Sequence, residues 1–584
     1  MTVVERSQDI PLREAPAAAP LRQISDQAHP NVASSAFPEP HLEIEQIQGN
    51  ILPGFLKDHE MLLFLKIEQV AACKTWLGSL TPLIATAEEV LAFNRLFKAL
   101  RVRRGRDTKA IQATWVNIAF SHQALVTLTA GTPNDIKQKD FNDQSFKNGM
   151  VKQAQVLGDP TDVKAEGNPN NWVIGGPQNG ADIILIVQSD DRDDMLDQVA
   201  EIEQSLHDVQ VSGVSLLRKE EGSILPGALA GHEHFGFLDG VSQPGIRGYV
   251  STDSTDVLTP RQNPLNPHQG KPGQTLLWPG EFVFGYQGQD VSKPVEEPGD
   301  VVNAGPDWAR NGSFLVFRRL RQDVGAFHAF LHKTAQDLSI SPSLLAAKVV
   351  GRWQSGAPLL RSGEVDTPEL GQSDCANNNF QYFHADATST PPDIGATPGS
   401  DGQCSSSGQT FPPSPGDQKG LLCPAFAHIR KTYPRDDITP AASGTDPEQQ
   451  SKTSEAETQK HRLLRRGLPF GEPSSSTIEQ PISDDGERGL LFVSYQTSIE
   501  NQFEFVSQSW ANDPDFKDSG TGFDLVIGQN GSGARERTAK LILDGNQSHT
   551  LTAKDEWVIP TGGGYFFAPS ISALHMLCGN VNKS

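Results

Sequence analysis

The strongest constraint on how this chain can fold is a set of short apolar runs, each followed by a helix-patterned stretch, in both halves. Residues 61–67 (MLLFLKI), 115–120 (WVNIAF) and 182–187 (DIILIV) are short and rich in branched and aromatic residues, the mark of buried strands. A short helical pattern follows the second run. After the third, Met195, Val199, Ile202 and Leu206 recur at helical spacing, so residues 190–206 predict an amphipathic helix, with a strand returning over 209–217. In the second half, residues 313–318 read as a strand before a helix over 323–338, and 490–495 as a strand before a helix over 499–510. The expectation is an α+β protein of duplicated architecture. Identity between the halves is too low to establish a duplication from sequence.

At 584 residues the chain is long enough for more than one hydrophobic core. A formal charge of −22 repels phosphates, which argues against nucleic-acid and anionic-membrane partners; simple solubility accounts for the acidity. No run approaches the ~18 consecutive apolar residues of a membrane span. Residues 1–40 have no sustained periodicity and read as a disordered tail, without the basic start and apolar core of a secretory leader. The expected location is therefore cytoplasmic, with export by another route left open. The five cysteines, Cys73, Cys375, Cys404, Cys423 and Cys578, allow one or two bridges at most, and Cys375 and Cys404 flank a loop-like stretch. Residues 384–420, rich in Ser, Pro and Gly, and the polar residues 436–460 read as inserted surface loops.

Three windows carry candidate chemistry. The first is GHEHFGFLDGVSQPG (231–245), where Asp239 is either a turn residue or a partly buried acid. His232 and His234 with Asp239 would also supply two imidazoles and a carboxylate to a non-haem Fe(II) site. The second is CPAFAHIRKTYPR (423–435), with His428 between apolar residues and a basic cluster. A lone histidine is more often structural than a ligand, but a dianionic group held by His428 would find counter-charges in Arg430, Lys431 or Arg435. The third is HRLLRRGLPFG (461–471), with Arg465 and Arg466 adjacent, so that one can be buried while the other meets solvent.

In this order the windows resemble the dye-decolourising peroxidase family, through G-x-x-D-G, then C-P-x-x-A-H-I-R-K-x-x-P-R, then R-x-G-x-P-F-G. The segments IQGNIL (47–52) and GRWQSGAP (351–358) resemble it too, so the likeness runs from about residue 44 to the end, interrupted by the two loops. The resemblance implies two ferredoxin-like domains of the dimeric α+β barrel type, residues 41–275 and 276–584, with haem b in the C-terminal one and Asp239 near the end of the first. It implies His428 as the proximal ligand, leaving the opposite iron face open. Asp239 becomes the distal acid–base group and Arg465 the distal arginine, with Arg466 one position off the motif. Arg430 and Arg435 would meet the propionates. Asp524, or failing it Asp513, would accept a hydrogen bond from His428 and make it more basic.

The activity implied is reduction of hydrogen peroxide with one-electron oxidation of bulky donors such as anthraquinone dyes and phenols, by a monomer or homodimer. Bulky donors would reach the pocket through aromatics, with Trp510, Tyr495 and Tyr433 as candidates. Phe470 stands where some fungal relatives carry a redox-active tyrosine. The alternatives are the non-haem site above, which leaves the His428 and Arg465 windows without a role, and a haem carrier, which needs neither Asp239 nor Arg465.

Overall fold

The computed structural model describes residues 37–104, 111–263, 266–384, 411, 413–531, 535–543 and 547–579. In the first half, β1 (His59–Ile67), α1 (Val70–Leu80), β2 (Thr114–Phe120), β3 (Ile183–Ser189), α2 (Arg192–Leu206) and β4 (Val214–Ser223) follow in order. All pairings among these strands are antiparallel, in the order β4-β1-β3-β2. In the second half come β5 (Ser313–Gln322), α3 (Val324–Leu338), α4 (His428–Thr432), α5 (Pro447–Gln459), β6 (Leu464–Arg465), β7 (Leu468–Phe470), β8 (Gly489–Gln496) and β9 (Val558–Ala568). Their order, β9-β5-β8-β6 with β7 also on β8, repeats the first: last strand, first strand, third, second. The expected pair of ferredoxin-like halves is thus present, and Phe120 paired with Phe567 joins them into one nine-stranded sheet.

That sheet curls toward a barrel. A Cβ built on Gly222 of β4 would lie 3.1 Å from the Pro469 carbonyl of β7, at the opposite end of the strand order. Leu62, Phe64 and Ile186 from the first half and Phe317, Leu491 and Val493 from the second pack inside, all 0–1% exposed. Phe64 meets Phe317 at 4.9 Å between ring centroids. Leu63, Leu185 and Val187 point outward and are covered by helices, so β1 and β3 are buried on both faces. This explains their continuous apolar runs. Each such side chain contributes roughly 1.5–3 kcal/mol on burial.

Four expectations need correction. Residues 209–217 open with a helical turn, Val209–Ser212, capped by the Asp208 carboxylate on Gln210 N–H, and the strand begins only after Gly213 at φ +70°. Residues 436–460 are not a surface loop. They contain α5, whose Ser451 and Thr458 hydroxyls donate to the Asp436 and Arg435 carbonyls, while Ser454 accepts from Thr439 N–H. The helix over 499–510 is wound in wide turns closed five residues apart, Ile499–Glu504 and Val506–Ala511. Ordered structure begins before residue 41: Glu39 pairs with Arg247 and Arg261, and Pro40 accepts from Tyr249 N–H. Of the other tail and loop residues, 1–36, 385–410 and 412 lie outside the described residues.

Cys375 is disulfide-bonded, whereas Cys73, Cys423 and Cys578 are free; Cys404, on the other side of the loop-like stretch, lies outside the described residues. No helix among the described residues is long and apolar enough to cross a membrane.

Candidate active site

Asp239 sits on the irregular segment that leaves β4. Gly236 turns the loop at φ +91°, a conformation that favours glycine. Asp239 N–H donates to the Gly231 carbonyl (3.0 Å), closing the loop on itself. Its Oδ1 accepts from Gly240 N–H (2.6 Å) and from Arg465 Nη1 (3.3 Å). Arg465 is held on β6, which pairs with β8, and its Nη2 donates to the Ser242 carbonyl. The two side chains keep 33% and 41% of their surface, enough to act on a third molecule. Arg466, the neighbouring alternative, instead donates to the Asn50, Ile51 and Pro53 carbonyls and clamps the amino-terminal segment.

His428 opens α4 and its ring bonds through Nδ1 to Asp524 Oδ2 at 2.8 Å. Asp524 is fully buried, and its other oxygen accepts from Val526 and Ile527 N–H, so the carboxylate cannot turn away. Burial alone would lower the His428 imidazole, but the Asp524 charge and hydrogen bond outweigh it and raise it. Asp513 takes no part: its carboxylate accepts from Asp515 N–H, while its carbonyl receives the Lys431 ammonium.

His428, Asp239 and Arg465 line one cavity of about 320 Å³, with Phe235, Phe237, Leu490 and Phe492 among its apolar walls. Besides Arg318, which is paired with Asp159, three further arginines, Arg352, Arg435 and Arg462, reach the same cavity. Arg352 and Arg435 donate to main-chain carbonyls and to Asn378, and none of the three has an ion-pair partner among the described residues. Burial, with Arg435 nearby, pushes Arg352 down to about 9. Arg462 Nη1 is buried with no hydrogen-bond partner. Uncompensated buried cations are costly, so a cavity holding three is built for an anionic occupant. With one imidazole free at Nε2 and flat apolar walls, the residues fit haem and its two propionates.

Arg430, expected at a propionate, does not line the cavity. It is buried against Asp437 and Asp417, and those carboxylates already neutralise it. Arg435 does line the cavity, while Arg352 and Arg462 were not singled out by sequence. Arg462 lies inside the third chemical window and Arg352 in the 351–358 segment, yet an arginine among apolar residues gives no sign of whether a carboxylate awaits it.

The non-haem alternative fails on geometry. His234 is buried with Nε2 bonded to the Phe470 carbonyl at 2.8 Å, and burial pushes it down to about 4. His232 bonds the Ala230 carbonyl. Among the described residues, no three His, Cys, Asp or Glu side chains group to hold a metal ion.

Known proteins show the same architecture. The family model described as DyP dimeric alpha+beta barrel domain matches residues 46–220, and that described as Dyp-type peroxidase, C-terminal, matches 435–524. A dye-decolorizing peroxidase of Mycena epipterygia is 32% identical over 91% of this chain and 86% of its own length. The chain belongs to the dye-decolourising peroxidase family. A second member, from Auricularia auricula-judae, is 32% identical over 91% of this chain and 86% of its own. The crystal structure of a fungal DyP-type peroxidase from the same organism superposes with a TM-score of 0.67 at 30% identity, covering 92% of this chain and 99% of that one. The protein is accordingly a haem peroxidase, and the carrier and non-haem readings fall away.

Within this peroxidase the aromatics named as electron relays differ in setting. Trp510 is 2% exposed, stacked on Phe516 and edge-on to Phe505 and His461. Tyr495 is buried in the barrel, bonded to Asn50. Tyr433 is half-buried, lines the cavity, and lies beneath the Arg462 guanidinium at 3.3 Å. Phe470 packs under Arg319.

Proposed function

We propose that this peroxidase reduces hydrogen peroxide and oxidises bulky organic donors, anthraquinone dyes and phenols among them, by one-electron steps, with haem b in the cavity between Asp239 and His428. The observation that supports the reading is that one cavity is lined by both a carboxylate–arginine pair and a carboxylate-anchored histidine. When bound, haem supplies an iron that coordinates peroxide and stores two oxidising equivalents. His428 Nε2 would hold the iron, and Asp524 would keep that imidazole basic, which favours splitting the O–O bond. Asp239 takes the proton from the inner peroxide oxygen and returns it to the outer one, which departs as water. Arg465 stabilises the charge gathering on the leaving oxygen. Arg352, Arg435 and Arg462 bind the propionates. A carboxylate base stays ionised to lower pH than a histidine (ordinary values of about 3.9 and 6.5), so activity should persist in acid.

The two halves are assigned to residues 41–275 and 276–584, with Gly245–Ile246 pairing to Leu276–Leu277 across that limit. The assembly is a monomer or homodimer. For the compartment, the disulfide at Cys375 favours an oxidising environment over the cytoplasm expected from the amino terminus, and thiol counting on the unreduced protein decides between them. The test of the site is His428→Ala: purified protein should lose its Soret band and peroxide-dependent dye bleaching together. A variant with an unchanged Soret band would overturn the assignment.

A further inference from the structure

We infer that Glu233 is a positioning residue for Asp239, tying the loop that carries it to the sheet of the second half. The inference rests on the role proposed for Asp239. Glu233 Oε1 accepts from Phe237 N–H at 2.9 Å, and Oε2 accepts from Phe235 N–H at 2.9 Å and from Gln322 Nε2 at 2.6 Å. Two of these donors belong to the loop backbone just before Asp239, and the third ends β5. The main chain adds Glu233 N–H to the Phe237 carbonyl at 3.0 Å, so residues 233–237 are folded around this one carboxylate.

Four other contacts dock the same loop: His328 Nε2 and Gln354 Nε2 with the Phe235 carbonyl, His234 Nε2 with the Phe470 carbonyl, and Leu238 N–H with the Gln354 carbonyl. Each fixes a single point. Glu233 alone among these joins two loop amides to the sheet. Asp239 depends on that loop because its own side chain is loosely held, touching another side chain only at Arg465, 3.3 Å away. Where the carboxylate points is set by its backbone, and its backbone is set by Glu233.

The two acids also feel each other. Burial pushes the Glu233 carboxyl up to about 7, and the Asp239 charge adds to the rise. Three N–H donors oppose it, as expected for an anion serving as a fixed anchor. Gln322, which supplies one donor, leaves its Oε1 buried without a partner, so the amide is oriented by Glu233 rather than shared with a second acceptor.

The test uses holoenzyme and two readouts that both require a distal base: the second-order rate of the haem spectral change on adding hydrogen peroxide, and the equilibrium affinity for cyanide, whose proton the distal carboxylate must take. Glu233→Gln keeps one acceptor oxygen and should lower both about tenfold; Glu233→Ala should lower the rate about a hundredfold, the scale of a 1 Å misplacement. Haem content and thermal midpoint of the Gln variant should match wild type. In an Asp239→Asn background, Glu233→Gln should change neither readout by more than about twofold, because its effect passes through Asp239. A wild-type rate in Glu233→Gln, or an equal loss in both backgrounds, overturns the inference. If Asp239→Asn alone leaves the rate unchanged, the role of Asp239 fails instead.

Discussion

At the scale of single residues, the pair proposed to hold and tune the haem is His428 with Asp524. Asp524 is wholly enclosed and pinned by two backbone N–H groups, so its charge acts on His428 without solvent to screen it. Asp524→Asn should keep the ring in place and make it less basic. We expect a higher ferric/ferrous midpoint potential and about a 10–100-fold slower reaction with peroxide; an unchanged potential in spectroelectrochemical titration would contradict the role. His428, Asp239 and Arg465 could be named as candidates from the sequence because each stands in an ordered motif, and the folded chain brings all three to one cavity. Arg430 was misread for a physical reason: its partners, Asp417 and Asp437, lie 13 and 7 residues away, and only the folded chain brings both carboxylates to one guanidinium. Arg352 and Arg462 show the converse, cations whose lack of a carboxylate partner among the described residues is visible only once they are buried.

At the scale of elements, apolar periodicity found the strands and helices whose burial is hydrophobic, and failed where burial is polar. The helix α2 turns Met195, Val199, Ile202 and Leu206 inward as their spacing requires. By contrast α5 buries Ser451, Ser454, Thr458 and Gln459, residues that a hydrophobic pattern scores as solvent-facing. Its hydroxyls satisfy main-chain groups of residues 435–439, which lead out of the His428 window. Ser454→Ala leaves Thr439 N–H without its acceptor and should destabilise the protein by about 1–3 kcal/mol. Urea unfolding read by tryptophan fluorescence checks this; a midpoint equal to wild type would mean that α5 is only laid on the surface.

At the scale of the whole molecule, two copies of one strand order make a single sheet, and the chemistry lies where the connector from the first copy reaches the second. The fold class was legible because each half repeats short runs and helices in order. The closure of the sheet was not, since it depends on one pairing, Phe120 with Phe567, and on the approach of Gly222 to Pro469. The interior also holds ionisable groups. Glu60 is buried in the barrel with one oxygen unpartnered, and burial pushes it up to about 8. The folded chain therefore holds this proton over a range where the unfolded chain, at an ordinary value near 4.5, has released it. Its stabilising contribution is complete below about pH 4.5 and is lost as the pH rises through about 8. Glu60→Gln removes that loss, so relative to wild type it should gain about 1–4 kcal/mol between pH 5 and pH 8. Denaturant midpoints at the two pH values that move in parallel would contradict this.

The central claim is that Asp239 moves the proton that lets peroxide react, and stopped-flow absorbance of wild type and Asp239→Asn mixed with hydrogen peroxide tests it most directly. The account predicts a fall of about 10²–10⁴-fold in the rate of the haem spectral change, with the resting spectrum preserved. Equal rates in the two proteins would contradict it.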